Sequence, residues 1–205
     1  MGLFRRNKNN KKPVIRQILD LVPSWMLTSC TNTYKTDKGV SKYKTYDQFV
    51  ALTFGQHNKC QSLNDISAGI GVSEIFIDDL NLKQSPARST MSDGNKNRDW
   101  QVFESLYYRL LSHYKTVLKK HHHTHIIKEI KYKSIKLIDS SVISLCLSMF
   151  DWAKFRTAKG GIKLHTVWDD TLMIPEVVNI SEAKVHDRYG LEQLVFQKDT
   201  IIVED

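Results

Sequence analysis

Cysteine is scarce in this chain of 205 residues: only Cys30, Cys60 and Cys146 occur, an odd number, widely spaced and without a C-x-x-C pair. That excludes a disulfide framework and a thiolate zinc site, and it fits a reducing compartment. Long apolar runs are missing as well. The longest, such as VISLCL at 142–147, fall far short of the roughly 20 residues that cross a bilayer. No apolar signal core follows the basic start, and Arg6 stands where a myristoylation signal wants Ser or Thr. A cytoplasmic protein with no membrane partner is expected. With 41% hydrophobic residues the chain has enough apolar side chains for one good core or two modest ones.

Acidic residues are scarce in one half only. Residues 1–133 hold 22 Lys and Arg against 11 acids, whereas 134–205 hold 8 against 11. The N-terminal part therefore suits a polyanion, with nucleic acid the foremost candidate, and the acids of the C-terminal part have another task. A solvated basic surface is the plain alternative.

Residues 1–12 form a basic tail able to touch phosphates. Residues 13–120 read as an α-helical domain. Apolar spacing predicts a short helix over Val14–Val22 stopped around Pro23, and a second from Thr45 to Gln56 burying Tyr46, Phe49, Val50 and Leu52 or Phe54. Ser62 is placed to cap a third helix, with Gly69 and Gly71 marking a tight turn before another apolar segment. SPARSTMSDGNKNRDW, 85–100, has small polar residues with Arg88, Lys96 and Arg98, the composition of a surface that bonds DNA phosphates and base edges. Its Ser, Thr, Asn and Gly94 describe a loop equally well, and the loop is the favoured conformation. Trp100, Phe103, Leu106, Leu110, Tyr114 and Val117 then recur at helical steps up to Lys120. HHHTH at 121–125 can ligate a metal only with outside partners, so 121–133 reads as a solvated linker.

Beyond Lys133 the period shortens. KSIKLID predicts a strand over Ile135–Asp139, resuming after a turn at Val142–Leu147. GGIKLHTVWDD and IPEVVNISEAKV predict two more, HDRYGLEQLVF a connecting helix, and DTIIVED a final apolar strand of the kind that lies mid-sheet. If that last strand lies parallel beside the first, Asp139 and Asp205 emerge at adjacent positions, where two carboxylates suit a hard divalent cation. Capping of strand ends by both aspartates is the competing account, favoured on spacing alone.

IDSSVISLCLSMFDWAKFRTAKGGIKLHTVWDD, AKVHD and IIVED together closely resemble the catalytic domain of bacterial DDE transposases, specifically insertion-sequence transposases of family four. PARSTMSDGNKNRDWQVFESL, 86–106, is similar to the helical domain that precedes it in many of them. The resemblance implies an α+β chain: a helical DNA-binding domain, then over 134–205 the first half of a ribonuclease H-like mixed sheet. It implies Mg²⁺ or Mn²⁺ as cofactor, Asp139 and Asp205 as catalytic metal ligands, and duplex DNA at transposon ends as partner. A second transposase subunit and a bacterial, nucleoid-associated location follow from it too. The family's third ligand, a glutamate on a later helix, has no counterpart before Asp205, so the chain is expected to stop on a metal ligand and to be inactive alone. Glu204 is no substitute, since neighbouring strand residues face opposite ways. A DNA-binding regulator of transposition and an unrelated metal nuclease are the alternatives.

Further roles follow more loosely. Arg156, Lys159 and Lys163 can clamp DNA phosphates or stand as solvated charges. His165, His186 and Asp187 can position water or a scissile phosphate, with structural hydrogen bonding slightly favoured. Trp152 and Phe155 are expected to pack the domain.

Overall fold

The computed structural model describes residues 12–121, 134–145, 154–156, 159–170, 172–184, 196 and 198–204. It is an α+β protein, with helices first and a mixed sheet after them. Two compact units divide at Ser112 and His113.

In the first unit, helix α1 (Val14–Leu19) starts behind Pro13, whose fixed φ suits a helix entry, and buries Ile15 and Leu19 one turn apart. It ends before the expected Val22. Pro23 does not merely stop it: the same residue is the N-cap of α2 (Ser24–Tyr34), an element the apolar spacing did not announce. Helix α2 buries Met26, Leu27 and Cys30 and ends at Lys35 in the left-handed region, with φ 53°. Helix α3 (Thr45–His57) lies where expected, burying Val50 and Phe54, with Tyr46 and Phe49 partly covered and Leu52 exposed. Ser62 does cap α4 (Leu63–Ile70), its hydroxyl accepting the Asp65 amide at 3.2 Å, and Ser73 caps α5 (Glu74–Asp79) in the same way.

The stretch expected as a loop is helix α6 (Arg88–Asn97), followed by α7 (Gln101–His121). Two apolar clusters hold the unit. Ile15, Leu19, Val50, Phe54, Ile66, Ile70, Leu80 and Met91 form one, while Met26, Leu27, Cys30, Val102 and Leu106 form the other. Tyr46 and Phe49 of α3 pack against both, so α3 is the central element. Among the described side chains of α7 the buried positions are Val102 and Leu106, and Trp100, the first of the apolar period, is 67% exposed ahead of the first turn.

The second unit is a sheet. Strand β1 (Ser134–Leu145) runs unbroken through the expected turn, because its whole length pairs antiparallel with β3 (Lys159–Asp169), from Lys136 opposite Asp169 to Leu145 opposite Gly160. The short β2 (Lys154–Arg156), absent from the sequence expectation, and β4 (Ile174–Glu182) both pair with β3, antiparallel. Strand β5 (Thr200–Glu204) pairs with β1 and is parallel to it, from Ser134 opposite Thr200 to Ile138 opposite Glu204. The order β2-β3-β1-β5 puts β5 last among the described strands, not mid-sheet. Ile202 and Val203 accordingly stand 45% and 48% exposed. The segment expected as a connecting helix, 186–196, lies outside the described residues apart from Phe196, and so do 122–133 of the expected linker.

Candidate catalytic face of the sheet

Alternation along β1 separates two sets of side chains. Lys136 and Ile138 are buried on one face, whereas Asp139 turns to the other and is exposed. No hydrogen bond or ion pair engages the Asp139 carboxylate among the described residues. Its carboxylate is thus free to take an outside ligand. The β1–β5 register fixes what lies beside it. Glu204 pairs with Ile138 and shares that residue's face, so Glu204 does not join Asp139. The described register stops at Glu204, and the expected partner Asp205 lies outside the described residues.

Strand β3 sorts the basic and imidazole candidates. Asp139 pairs with Thr166, Ser140 with His165 and Val142 with Lys163. His165 and Lys163 therefore belong to the face of Lys136 and Ile138, opposite Asp139. His165 is 2% exposed, and its Nε2 lies 2.7 Å from the Ser181 hydroxyl on β4, a structural bond. Lys163 is half-buried there. Arg156 and Lys159 are opposite each other across β2 and β3, and only their backbones are described. His186, Asp187 and Trp152 lie outside the described residues. The side chain that sequence reasoning missed is Thr166, directly across from Asp139.

The buried face carries an ion network. Lys136 Nζ donates to Asp169 Oδ2 at 2.6 Å and to Glu176 Oε2 at 2.5 Å, and Lys115 of α7 engages the other Glu176 oxygen. The second Asp169 oxygen accepts the Leu172 amide at 3.0 Å. Burial alone would drive the Lys136 ammonium down, but Asp169 and Glu176 outweigh it and hold it above its ordinary value. Burial likewise raises Glu176, and Lys115 with Lys136 outweigh that and hold it below the usual carboxylate range. This network satisfies its own charges and has none to spare for a ligand.

In the first unit, α6 separates the three expected DNA contacts. Arg88 and Lys96 are exposed at opposite ends of the helix. Arg98 turns inward: Nη1 donates to Gln48 Oε1 and Nη2 to the Tyr43 carbonyl, each at 2.5 Å, and the guanidinium lies 5.5 Å from the Tyr43 ring centroid. Its charge is committed to the fold.

Among the described residues, no three His, Cys, Asp or Glu side chains gather as a metal site, and no helix is long and apolar enough to cross a membrane. A family model described as a domain of unknown function (DUF4372) matches residues 10–74, which run from before α1 into the start of α5. Neither curated proteins nor solved structures give a match.

Proposed function

We propose that the chain is the DNA-binding part and the opening of the catalytic part of a metal-dependent DDE transposase, with a ribonuclease H-like sheet, acting on DNA in the bacterial nucleoid. The observation that carries this is the parallel register of β5 on β1. The described ladder runs to Ile138 opposite Glu204, which brings the C-terminal end of β5 beside the β1 residue that precedes Asp139. An exposed, unpartnered carboxylate at Asp139 is a hard oxygen donor of the kind Mg²⁺ or Mn²⁺ takes, so the residue present fits one place in a carboxylate-and-water shell. Bound metal ions in such sites activate the attacking oxygen and stabilise the leaving one. The chain's own contribution is to present Asp139 from a rigid strand and to hold DNA through the basic first unit. Partners on this reading are transposon ends and a second transposase subunit.

The reading of a DNA-binding regulator without cleavage is favoured by one observation: among the described residues Asp139 belongs to no group of three His, Cys, Asp or Glu side chains. Titrating Mn²⁺ into the wild type and Asp139→Asn, then assaying nicking of DNA that bears the element's ends, tests the proposal. Weak Mn²⁺ binding that Asp139→Asn abolishes is expected, without robust nicking by residues 1–205. Metal binding indifferent to Asp139→Asn sinks the site, and sequencing past codon 205 for an in-frame glutamate separates enzyme from regulator.

A further inference from the structure

Helix α6 begins at a poor cap. Its N-cap is Ala87, with no side-chain oxygen to accept the first amides and no acid in the first turn. Ser85 does not serve: its hydroxyl donates to the Ser67 carbonyl at 2.7 Å and makes no cap bond to α6. The amides of Arg88, Ser89 and Thr90 are therefore left with the positive end of the helix and no acceptor.

Beside this end lies a cavity of about 40 Å³ whose lining includes Lys42, Tyr43, Lys83, Ala87 and Thr90. Tyr43 is 6% exposed, and its hydroxyl is buried without a hydrogen-bond partner. Burial pushes that hydroxyl up to about 12, so it stays an O–H donor at any ordinary pH. Lys42 and Lys83 are exposed, and among the described residues the side chain of neither is engaged in an ion pair or hydrogen bond. Asp47 also lines the cavity, but one of its oxygens accepts the Lys44 amide at 2.8 Å, and burial raises its pKa. Donors and cations outnumber it.

We propose that the N-terminus of α6, with Tyr43 Oη, Lys42 and Lys83, is a phosphate-binding site. Uncapped helix amides plus positive charge are a ready anion seat. The volume sets how the anion enters. About 40 Å³ is far below the roughly 300–1,000 Å³ of a pocket that encloses a small molecule, so one phosphate oxygen inserts while the rest of the group stays outside. That suits a phosphodiester lying across the surface better than a nucleotide enclosed in a pocket. The carrier of the phosphate, though not the anion chemistry, rests on the nucleic-acid reading above. Exposed Arg88 in the first turn stands where it can add to the same strand contact.

The test uses the full chain in three forms: wild type, Lys42→Ala with Lys83→Ala, and Tyr43→Phe, which removes only the hydroxyl and keeps the ring beneath Arg98. Duplex DNA binding is followed by fluorescence anisotropy across a salt series. Separately, inorganic phosphate is titrated at constant ionic strength while the Ser89 and Thr90 amide resonances are recorded. The double variant is expected to bind DNA about tenfold more weakly at low salt, with the slope of log K against log salt reduced by about one. Tyr43→Phe is expected to lose several-fold and to abolish the phosphate-induced amide shifts, and both variants should keep the wild-type far-ultraviolet circular dichroism. Wild-type DNA binding that neither variant weakens overturns the site and leaves the nucleic-acid reading standing. Amide shifts with phosphate but no DNA binding keep the anion site, assign it a soluble phosphate, and overturn the nucleic-acid reading. Absence of both overturns both.

Discussion

Replacing Arg98 by alanine should unfold the first unit more readily instead of selectively weakening DNA contacts. The guanidinium makes two charge-assisted hydrogen bonds, to Gln48 Oε1 and the Tyr43 carbonyl, and lies over the Tyr43 ring. Hydrogen bonds to a charged group are worth about 1.5–3 kcal/mol each when well buried, and the cation–π contact about 0.5–1 kcal/mol. Two effects oppose this. Arg98 is only partly buried, and its Nε is enclosed without a partner, so its removal relieves a desolvation cost of about 1 kcal/mol. Burial indeed holds this guanidinium below its ordinary pKa. The balance is a loss of about 2 kcal/mol, or about 10 °C in Tm for a unit near 100 residues. Arg98→Lys should recover little, because an ammonium cannot fork to both acceptors and stack at once. Arg88→Ala and Lys96→Ala, both exposed, should stay within about 0.5 kcal/mol. Thermal and urea melts of the four variants by circular dichroism make the comparison. An Arg98→Ala chain as stable as Arg88→Ala would refute the structural role assigned to Arg98.

Gly94→Ala should lower Tm although it improves helix propensity by about 1 kcal/mol. An added Cβ would meet the Tyr43 ring at 2.7 Å, and overpacking a held ring costs about 1–3 kcal/mol, so a stabilised variant in the same melts would contradict the packing. The Lys136 network should bound the stability of the second unit on both sides of neutrality. Glu176, held low when folded, contributes above its unfolded value near pH 4.3 and loses this as pH falls through the lower folded value; Lys136, held high, contributes below about pH 10.4 and loses this as pH rises through its folded value. Lys136→Met should cost about 3 kcal/mol at neutral pH and flatten both limbs of a stability–pH profile, and an unchanged acid limb would show that other carboxylates carry it.

The helical unit was partly legible because its capping chemistry is local. Ser62 announced α4 from its own hydroxyl, and the apolar period of α3 gave its bounds closely. Helix α6 escaped because its inward side is not apolar. Met91, Gly94, Asn95 and Arg98 recur at steps of three and four, yet Gly94 is there to admit the Tyr43 ring, Asn95 to accept from Gln48 at 2.6 Å, and Arg98 to reach Tyr43 and Gln48. A hydrophobic period cannot register a packed side whose contacts are made by a glycine, an amide and a guanidinium. Strand β5 misled in the opposite sense. Three apolar residues in a row signal two covered faces, and here Ile202 and Val203 are about half exposed.

The neighbours of Asp139 depended on strand register, which apolar alternation alone does not set. With Asp139 opposite Thr166, even-numbered residues of β3 share the carboxylate's face and odd-numbered ones lie behind the sheet; a slip of one residue would have brought His165 or Asp169 forward instead. Substitutions should separate accordingly. His165→Ala removes a buried ring and its bond to Ser181, so it should cost about 2–3 kcal/mol of stability and leave Mn²⁺ affinity at Asp139 unchanged. Thr166→Lys puts an ammonium on the half-buried neighbour whose Cβ stands about 5 Å from that of Asp139 in a directly opposed pair. A unit charge at that range in a surface environment is worth about 1 kcal/mol once screened, enough to weaken divalent binding several-fold while Tm moves by only a few degrees. Calorimetric Mn²⁺ titration beside thermal melts reads both quantities on the same protein. If His165→Ala weakened the metal and Thr166→Lys did not, the β1–β3 register would be displaced by one residue, and His165 would share the face of Asp139 in place of Thr166.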